Sequence, residues 1–207
     1  MTDQQFTDPA ERGPEIDDCP TVDACARVLA DAFAREPAVS WVGGGSSAAR
    51  GNWFAAPLRA DANLPGSRRY ALTGDGGRPI VVAILTPPGA ALSPAAQAQW
   101  GPYARALWAP GRATDPALSA DHRSQCARGG LDAEFIGVDP GAVGRDAGRR
   151  LLDRLLADTS ATAGVFLTTA DPGNVALYQH FGFVTLRRLS VGPLNVATML
   201  RRRTSNP

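Results

Sequence analysis

The residues best placed to do chemistry lie between Ala133 and Phe183. An apolar run ends at Val138 and gives way to the turn Asp139-Pro140-Gly141-Ala142-Val143-Gly144-Arg145-Asp146-Ala147-Gly148. Where a strand feeds a helix through glycines, several backbone N–H groups stay unpaired and point outward, and the helix dipole adds positive potential. Val143, Gly144, Arg145, Asp146, Ala147, Gly148 and Arg149 are therefore candidates to hold a phosphate-bearing ligand. The same glycines also serve tight packing of a strand on a helix, for which Gly144 and Gly148 alone suffice. Further on, Asn174 and Tyr178 stand four residues apart, on one face of a helix. That tyrosine either moves a proton at the far end of such a ligand or packs half-buried. Glu134 precedes Ile136 by two residues on one strand, so alternation puts both on one face. It reads as a general base or as a solvated strand glutamate.

Other chemistries find less support. The GxGxxG spacing of a dinucleotide fold is absent, and the residues after the turn are too few for a doubly wound sheet. No GxSxG elbow or spaced Ser/His/Asp set is present, and no cluster has metal-ligand spacing. His122 and His180 read as surface residues. The cysteines Cys19, Cys25 and Cys126 are odd in number and form no CxxC, so they read as free thiols in a reducing cytoplasm. A chain of 207 residues with 44% hydrophobic content fits one domain with a real core. The formal charge of +1 supplies no basic field for nucleic acid. No apolar stretch approaches the roughly 20 residues a membrane helix needs, and the polar, acidic start does not read as a signal peptide.

These residues need a scaffold, and the chain predicts one. Residues 1–18 read as a disordered tail, because little there can bury. Thr21 caps a helix that carries Val22, Ala26, Leu29, Ala30 and Phe33 and stops at Pro37. A second helix spans Ala48–Ala62, interrupted by Gly51 and Pro57. Arg69–Thr73 and Pro79–Leu85 form a hairpin around the glycines of 74–78. Ser93-Pro94 opens a helix toward Trp108, and 110–130 reads as a surface loop. Ala133–Val138 is a strand, and Gly148–Leu156 is a helix whose Leu151, Leu152, Leu155 and Leu156 form one apolar face. Gly164–Thr169 is a strand, Asn174–His180 a helix, and Phe183–Val191 with Leu194–Leu200 a closing hairpin.

The order strand, V-x-P, Gly-rich turn, helix, strand, then N-x-x-x-Y-x-x-x-G-F from Asn174 to Phe183 resembles the GCN5-related N-acetyltransferases. The likeness covers the C-terminal half well and the N-terminal half more loosely. Within the family it is closest to the puromycin acetyltransferase branch, through Ala30–Pro37 and Leu85-Thr86-Pro87-Pro88. The resemblance implies an α/β (α+β) fold, a mixed and mostly antiparallel sheet splayed in the middle with helices on both faces. It implies a single domain over 19–203 that transfers acetyl from acetyl-CoA to a small-molecule amine. Ile136, Gly137 and Val138 would pair with the pantetheine arm, and the N–H groups from Val143 to Gly148 would hold the pyrophosphate. The Val138 N–H would stabilise the oxyanion, Asn174 would contact the pantetheine, and Tyr178 would protonate the departing thiolate; Glu134, from its strand position, stays a candidate base beside its reading as a solvated glutamate. Phe33, Trp41, Trp53 and Trp108 are candidate walls for a flat or apolar acceptor amine. Two positions depart from the family's Gln/Arg-x-x-Gly-x-Gly/Ala turn, which here reads Val143, Asp146, Gly148. Asp146 either meets the pyrophosphate charge or turns away to cap the helix. A non-catalytic CoA-binding or ligand-sensing relative is the alternative. An edge strand near the C-terminus is available for a homodimer.

Overall fold

A computed structural model describes residues 16–17, 20–42, 46–62, 64–87, 130–159, 164–191 and 193–202. The helix expected toward Trp108 and the loop 110–130 lie outside the described residues. Helix α1 (Val22–Ala32) begins where Thr21 Oγ1 accepts the Ala24 N–H at 3.3 Å. It ends before Pro37, which instead opens a short helix, α2 (Pro37–Val42). Helix α3 (Ser47–Asp61) is capped by Ser46 and contains Pro57. Tertiary packing outweighs that local penalty: Phe54 and Leu58, on either side of the proline, are fully buried.

Strand β1 is only Ile16–Asp17. It pairs with Leu72 and Ala71 of β2 (Arg68–Thr73). These two residues correct the reading of 1–18 as tail throughout. The outer edge of β2 offers an unfilled hydrogen-bond ladder, and Ile16 packs against the core beside it. β2 turns into β3 (Pro79–Thr86) through Asp75–Gly77, where Gly76 and Gly77 take the positive φ such a turn needs. Then come β4 (Leu131–Val138), α4 (Ala147–Asp158), β5 (Gly164–Thr169), α5 (Pro172–His180), β6 (Val184–Val191) and β7 (Leu194–Arg202).

The strands form one sheet in the order β1-β2-β3-β4-β5-β7-β6, antiparallel everywhere except at β4–β5. That parallel seam closes only at its start, where Leu131 pairs with Val165 and Asp132 with Phe166. Beyond it β4 continues against β3 to Val138, while β5 continues against β7. The sheet therefore splays in its middle, and helices cover both faces. On one face Leu151, Leu155, Leu72, Val81, Leu167 and Met199 pack together under α4 and α5. On the other Leu29, Phe54, Leu58, Val82 and Ile84 pack under α1 and α3. Among the described residues no helix is long and apolar enough to cross a membrane.

Candidate active site

The turn after β4 is built by its own sequence. Asp139 Oδ1 accepts the Gly141 N–H at 2.8 Å and shapes the single 3-10 turn Pro140–Ala142. Gly144 has φ 81° and Asp146 φ 59°, both left-handed. Asp is among the few non-glycine residues that accept this conformation at modest cost. Gly148 is required for space, since a Cβ there would meet Val138 Cγ2 at 3.0 Å as α4 packs on β4. Both functions weighed for these glycines are thus present, packing at Gly148 and turn geometry at Gly144. The N–H groups of Val143, Gly144, Asp146, Ala147, Gly148 and Arg149 donate to no protein acceptor among the described residues. Such a row of donors at a helix start is an anion cradle.

The side chains of the turn depart from expectation in one respect. Asp146 does occupy the N-cap position, but its carboxylate makes no capping hydrogen bond. A left-handed backbone turns the side chain away from the N–H groups an extended N-cap residue would reach. Asp146 is exposed at the cradle's rim, as is Val143 at 67% exposure. Arg149 lies along the helix toward Asp153 at 3.6 Å. Arg145 is exposed and forms no ion pair among the described residues.

Beside the cradle runs the open edge of β4. Ile136, Gly137 and Val138 pair with Ala83, Val82 and Val81 on the β3 side, while on the other side β5 has departed. Gly137 brings α1 close, because a Cβ there would meet Leu29 Cδ2 at 2.8 Å. Asn174 and Tyr178 sit on α5, whose start is set by Asp171 capping Gly173 at 2.8 Å with Pro172 following. Tyr178 is 8% exposed and its ring centroid lies 5.6 Å from that of Phe183. Burial, with a smaller contribution from the Asp171 charge, pushes its phenol up to about 12. The group therefore stays protonated at neutral pH, and its hydroxyl has no hydrogen-bond partner among the described residues.

Glu134 requires a correction. Ile84 pairs with Phe135 and Leu85 with Ala133, so Glu134 is the extra residue of a β-bulge. The bulge reverses the alternation. Ala133 and Ile136 belong to the α4 face, whereas Phe135 joins the α1–α3 face. Glu134 turns to that second face and accepts a hydrogen bond from Thr86 Oγ1 at 3.4 Å. It does not share the face of Ile136, and Tyr178 belongs to the opposite cluster. Of the candidate walls, Phe33 and Trp53 both lie against Phe54 and Phe135. They form an aromatic cluster with Phe54 and Phe135, with centroids 4.5–6.2 Å apart. The side chain of Trp41 and all of Trp108 lie outside the described residues. A cleft of about 460 Å3 lies at the far, C-terminal end of α4, lined by Asp153, His180 and Arg201, and is not part of this site.

Two residues near the site were not singled out from sequence: Phe135 and Asp171. Asp171-Pro172 carried a readable signal, a cap followed by proline at the helix start. Phe135 did not, since its place depends on the bulge.

Among solved structures, the chain is similar to one from Corynebacterium glutamicum described as histone acetyltransferase HPA2 and related acetyltransferase. The TM-score is 0.68 at 16% identity, over 94% of this chain and 99% of that one. The fold is that of the GCN5-related N-acetyltransferases. The ribosomal-protein-S18-alanine N-acetyltransferase from Escherichia coli shares it with TM-score 0.54, 15% identity and coverage of 94% and 97%. So does the Salmonella typhimurium yncA structure, solved with its cofactor acetyl-CoA, with TM-score 0.55, 14% identity and coverage of 95% and 97%. No protein-family model matches the sequence, and no curated protein is similar enough to count as a match. On this acetyltransferase fold the splayed seam, the cradle and Tyr178 all lie in the C-terminal half.

Proposed function

We propose that the chain is a cytoplasmic, acetyl-CoA-dependent N-acetyltransferase acting on a small-molecule amine by direct attack in a ternary complex. One observation carries this reading: an unpaired N–H cradle adjoins the opened β4–β5 seam, and a buried, protonated phenol sits on the helix after β5. The cradle fits a diphosphate, since its donors point at no protein acceptor. When bound, acetyl-CoA supplies an acetyl group activated as a thioester. The N–H groups of Val143, Gly144, Asp146, Ala147, Gly148 and Arg149 would hold its diphosphate, the open edge of Ile136–Val138 would pair with its pantetheine, and Asn174 would orient that arm. Tyr178 keeps its proton on Oη until the sulfur departs and then gives it up. The described cysteine, Cys25, is fully buried and lies on α1 rather than on β4 or α5, which favours direct attack over an acyl-enzyme. The likeness of Ala30–Pro37 to the puromycin branch supports a small-molecule acceptor, and the aromatic cluster supports one with an apolar body.

Asp146 favours a second reading, a CoA-binding relative without turnover, because its carboxylate stands uncapped and exposed beside the cradle. Calorimetry with acetyl-CoA, followed by thiol release across a panel of amines, separates the two. Binding with turnover supports the transferase, and binding without turnover supports the second reading. No binding at millimolar acetyl-CoA overturns both.

A further inference from the structure

The cleft at the far end of α4 is built from an apolar floor and a cationic rim. It encloses about 460 Å3, within the size range of small-molecule sites. Leu156 of α4, Val165 of β5 and Phe181 after α5 form the floor, at the edge of the core beneath α4. Val165 stands opposite Arg201 across the β5–β7 ladder, so the Arg201 side chain leaves the sheet on the same face as that floor. The turn that ends α5 makes room for it. Gly182 has φ 82°, and a Cβ there would lie 3.6 Å from Arg201 Nε. Gly164 lets β5 come close on the main-chain side, where a Cβ would meet Arg201 O at 2.6 Å. Arg202 stands exposed at the rim, and the His180 ring centroid lies 5.7 Å from that of Phe181.

Arg201 is half-buried, yet its guanidinium has no ion pair or hydrogen bond among the described residues, and neither has that of Arg202. Asp153 is the one carboxylate among the described lining residues, and it lies toward Arg149 at 3.6 Å. A guanidinium partly withdrawn from water without an acceptor is unfavourable, and its planar fork matches a carboxylate through two parallel hydrogen bonds. An anion with an apolar body satisfies the rim and the floor together.

We propose that this cleft binds a small organic carboxylate, its charge held by Arg201 and Arg202 and its apolar body laid on Leu156, Val165 and Phe181. The site is separate from the cradle, since the 12 residues of α4 put about 18 Å between the two helix ends. It stands whether or not the chain transfers acetyl groups.

The test uses the full chain and three probes, benzoate, benzyl alcohol and inorganic phosphate, titrated calorimetrically at neutral pH. Benzoate should bind about tenfold tighter than benzyl alcohol, the scale of one partly buried charge pair, and tighter than phosphate, which lacks an apolar body. Arg201→Gln should erase most of the preference for benzoate over the alcohol, and Arg201→Lys should restore part of it. Arg202→Gln, at an exposed position, should weaken benzoate by a smaller factor and tests the rim even if Arg201→Gln folds poorly. The chain has 2 histidines, so the His180 ring signal, assigned with His180→Gln, should shift in proton spectra as benzoate is added. Saturating acetyl-CoA should leave benzoate affinity unchanged. Equal binding of benzoate and benzyl alcohol overturns the proposal, as does phosphate binding as tightly as benzoate. Undiminished benzoate affinity in both Gln variants, an unmoved His180 signal, or displacement of benzoate by acetyl-CoA would place the probe elsewhere and overturn it too.

Discussion

Removing one oxygen from Tyr178 gives the sharpest test of the proposed chemistry. The phenol sits at about 12 against an ordinary value of 10.0, a preference for the neutral form of about 3 kcal/mol at 1.36 kcal/mol per unit. At neutral pH it is an acid with its proton in place. If it protonates the leaving thiolate, Tyr178→Phe should lower kcat by roughly 10²–10⁴-fold, the range for a positioned general acid. The ring still packs on Phe183, and the lost hydroxyl had no partner among the described residues, so neutral-pH stability should change by under about 0.5 kcal/mol. The affinity for acetyl-CoA should also hold. Alkaline pH separates the variants further. The folded value lies above the unfolded one, so the native state retains a proton that the unfolded chain releases. Wild-type stability should therefore fall between pH 10 and 12, by up to about 3 kcal/mol, and Tyr178→Phe should lack that share of the decline. The assays are steady-state thiol release, acetyl-CoA calorimetry and denaturant melts across pH. Wild-type kcat in Tyr178→Phe would remove the residue from the mechanism. A phenolate appearing near its ordinary value, by ultraviolet difference against Tyr178→Phe, would refute the burial argument.

Gly144→Ala forces a side chain into φ 81°, where no neighbour within 4 Å is there to clash, so its cost is conformational, about 1–2 kcal/mol. The melting point should fall a few degrees and acetyl-CoA affinity should drop with the distorted cradle; an unchanged melting point and Kd would show that the turn does not need glycine. Asp146→Asn keeps a residue that accepts the left-handed backbone and removes the rim charge, so acetyl-CoA should bind several-fold tighter, most clearly at low salt. An unchanged Kd would place that carboxylate out of the ligand's reach. Leu155→Ala empties a fully buried position under α4 and should cost about 2–5 kcal/mol in denaturant melts, against under 1 kcal/mol if the helix is loosely packed.

The local elements were legible because neighbouring residues determine them. The spacing of Leu151, Leu152, Leu155 and Leu156 fits only a helix with one buried face, and all four are buried. Glycines at 76 and 77 mark a turn because positive φ is a property of the residue itself. Asn174 and Tyr178 share a helix face for the same reason, since helical periodicity acts over a single turn. The facing of Glu134 was not legible, because alternation holds only while strand register holds, and one inserted residue against β3 reverses it. Nor was the β1 pairing, which depends on the edge that β2 leaves open rather than on two residues of a polar segment. The meeting of Phe33 with Phe135 lies further still from any local rule. It exists because α1 packs across β3 and β4 and brings its end onto the second face of β4. From residue order alone came the elements and the candidate cradle; the folded chain decided which face of β4 each side chain takes and which aromatic rings meet, because register and packing are set by partners distant along the chain.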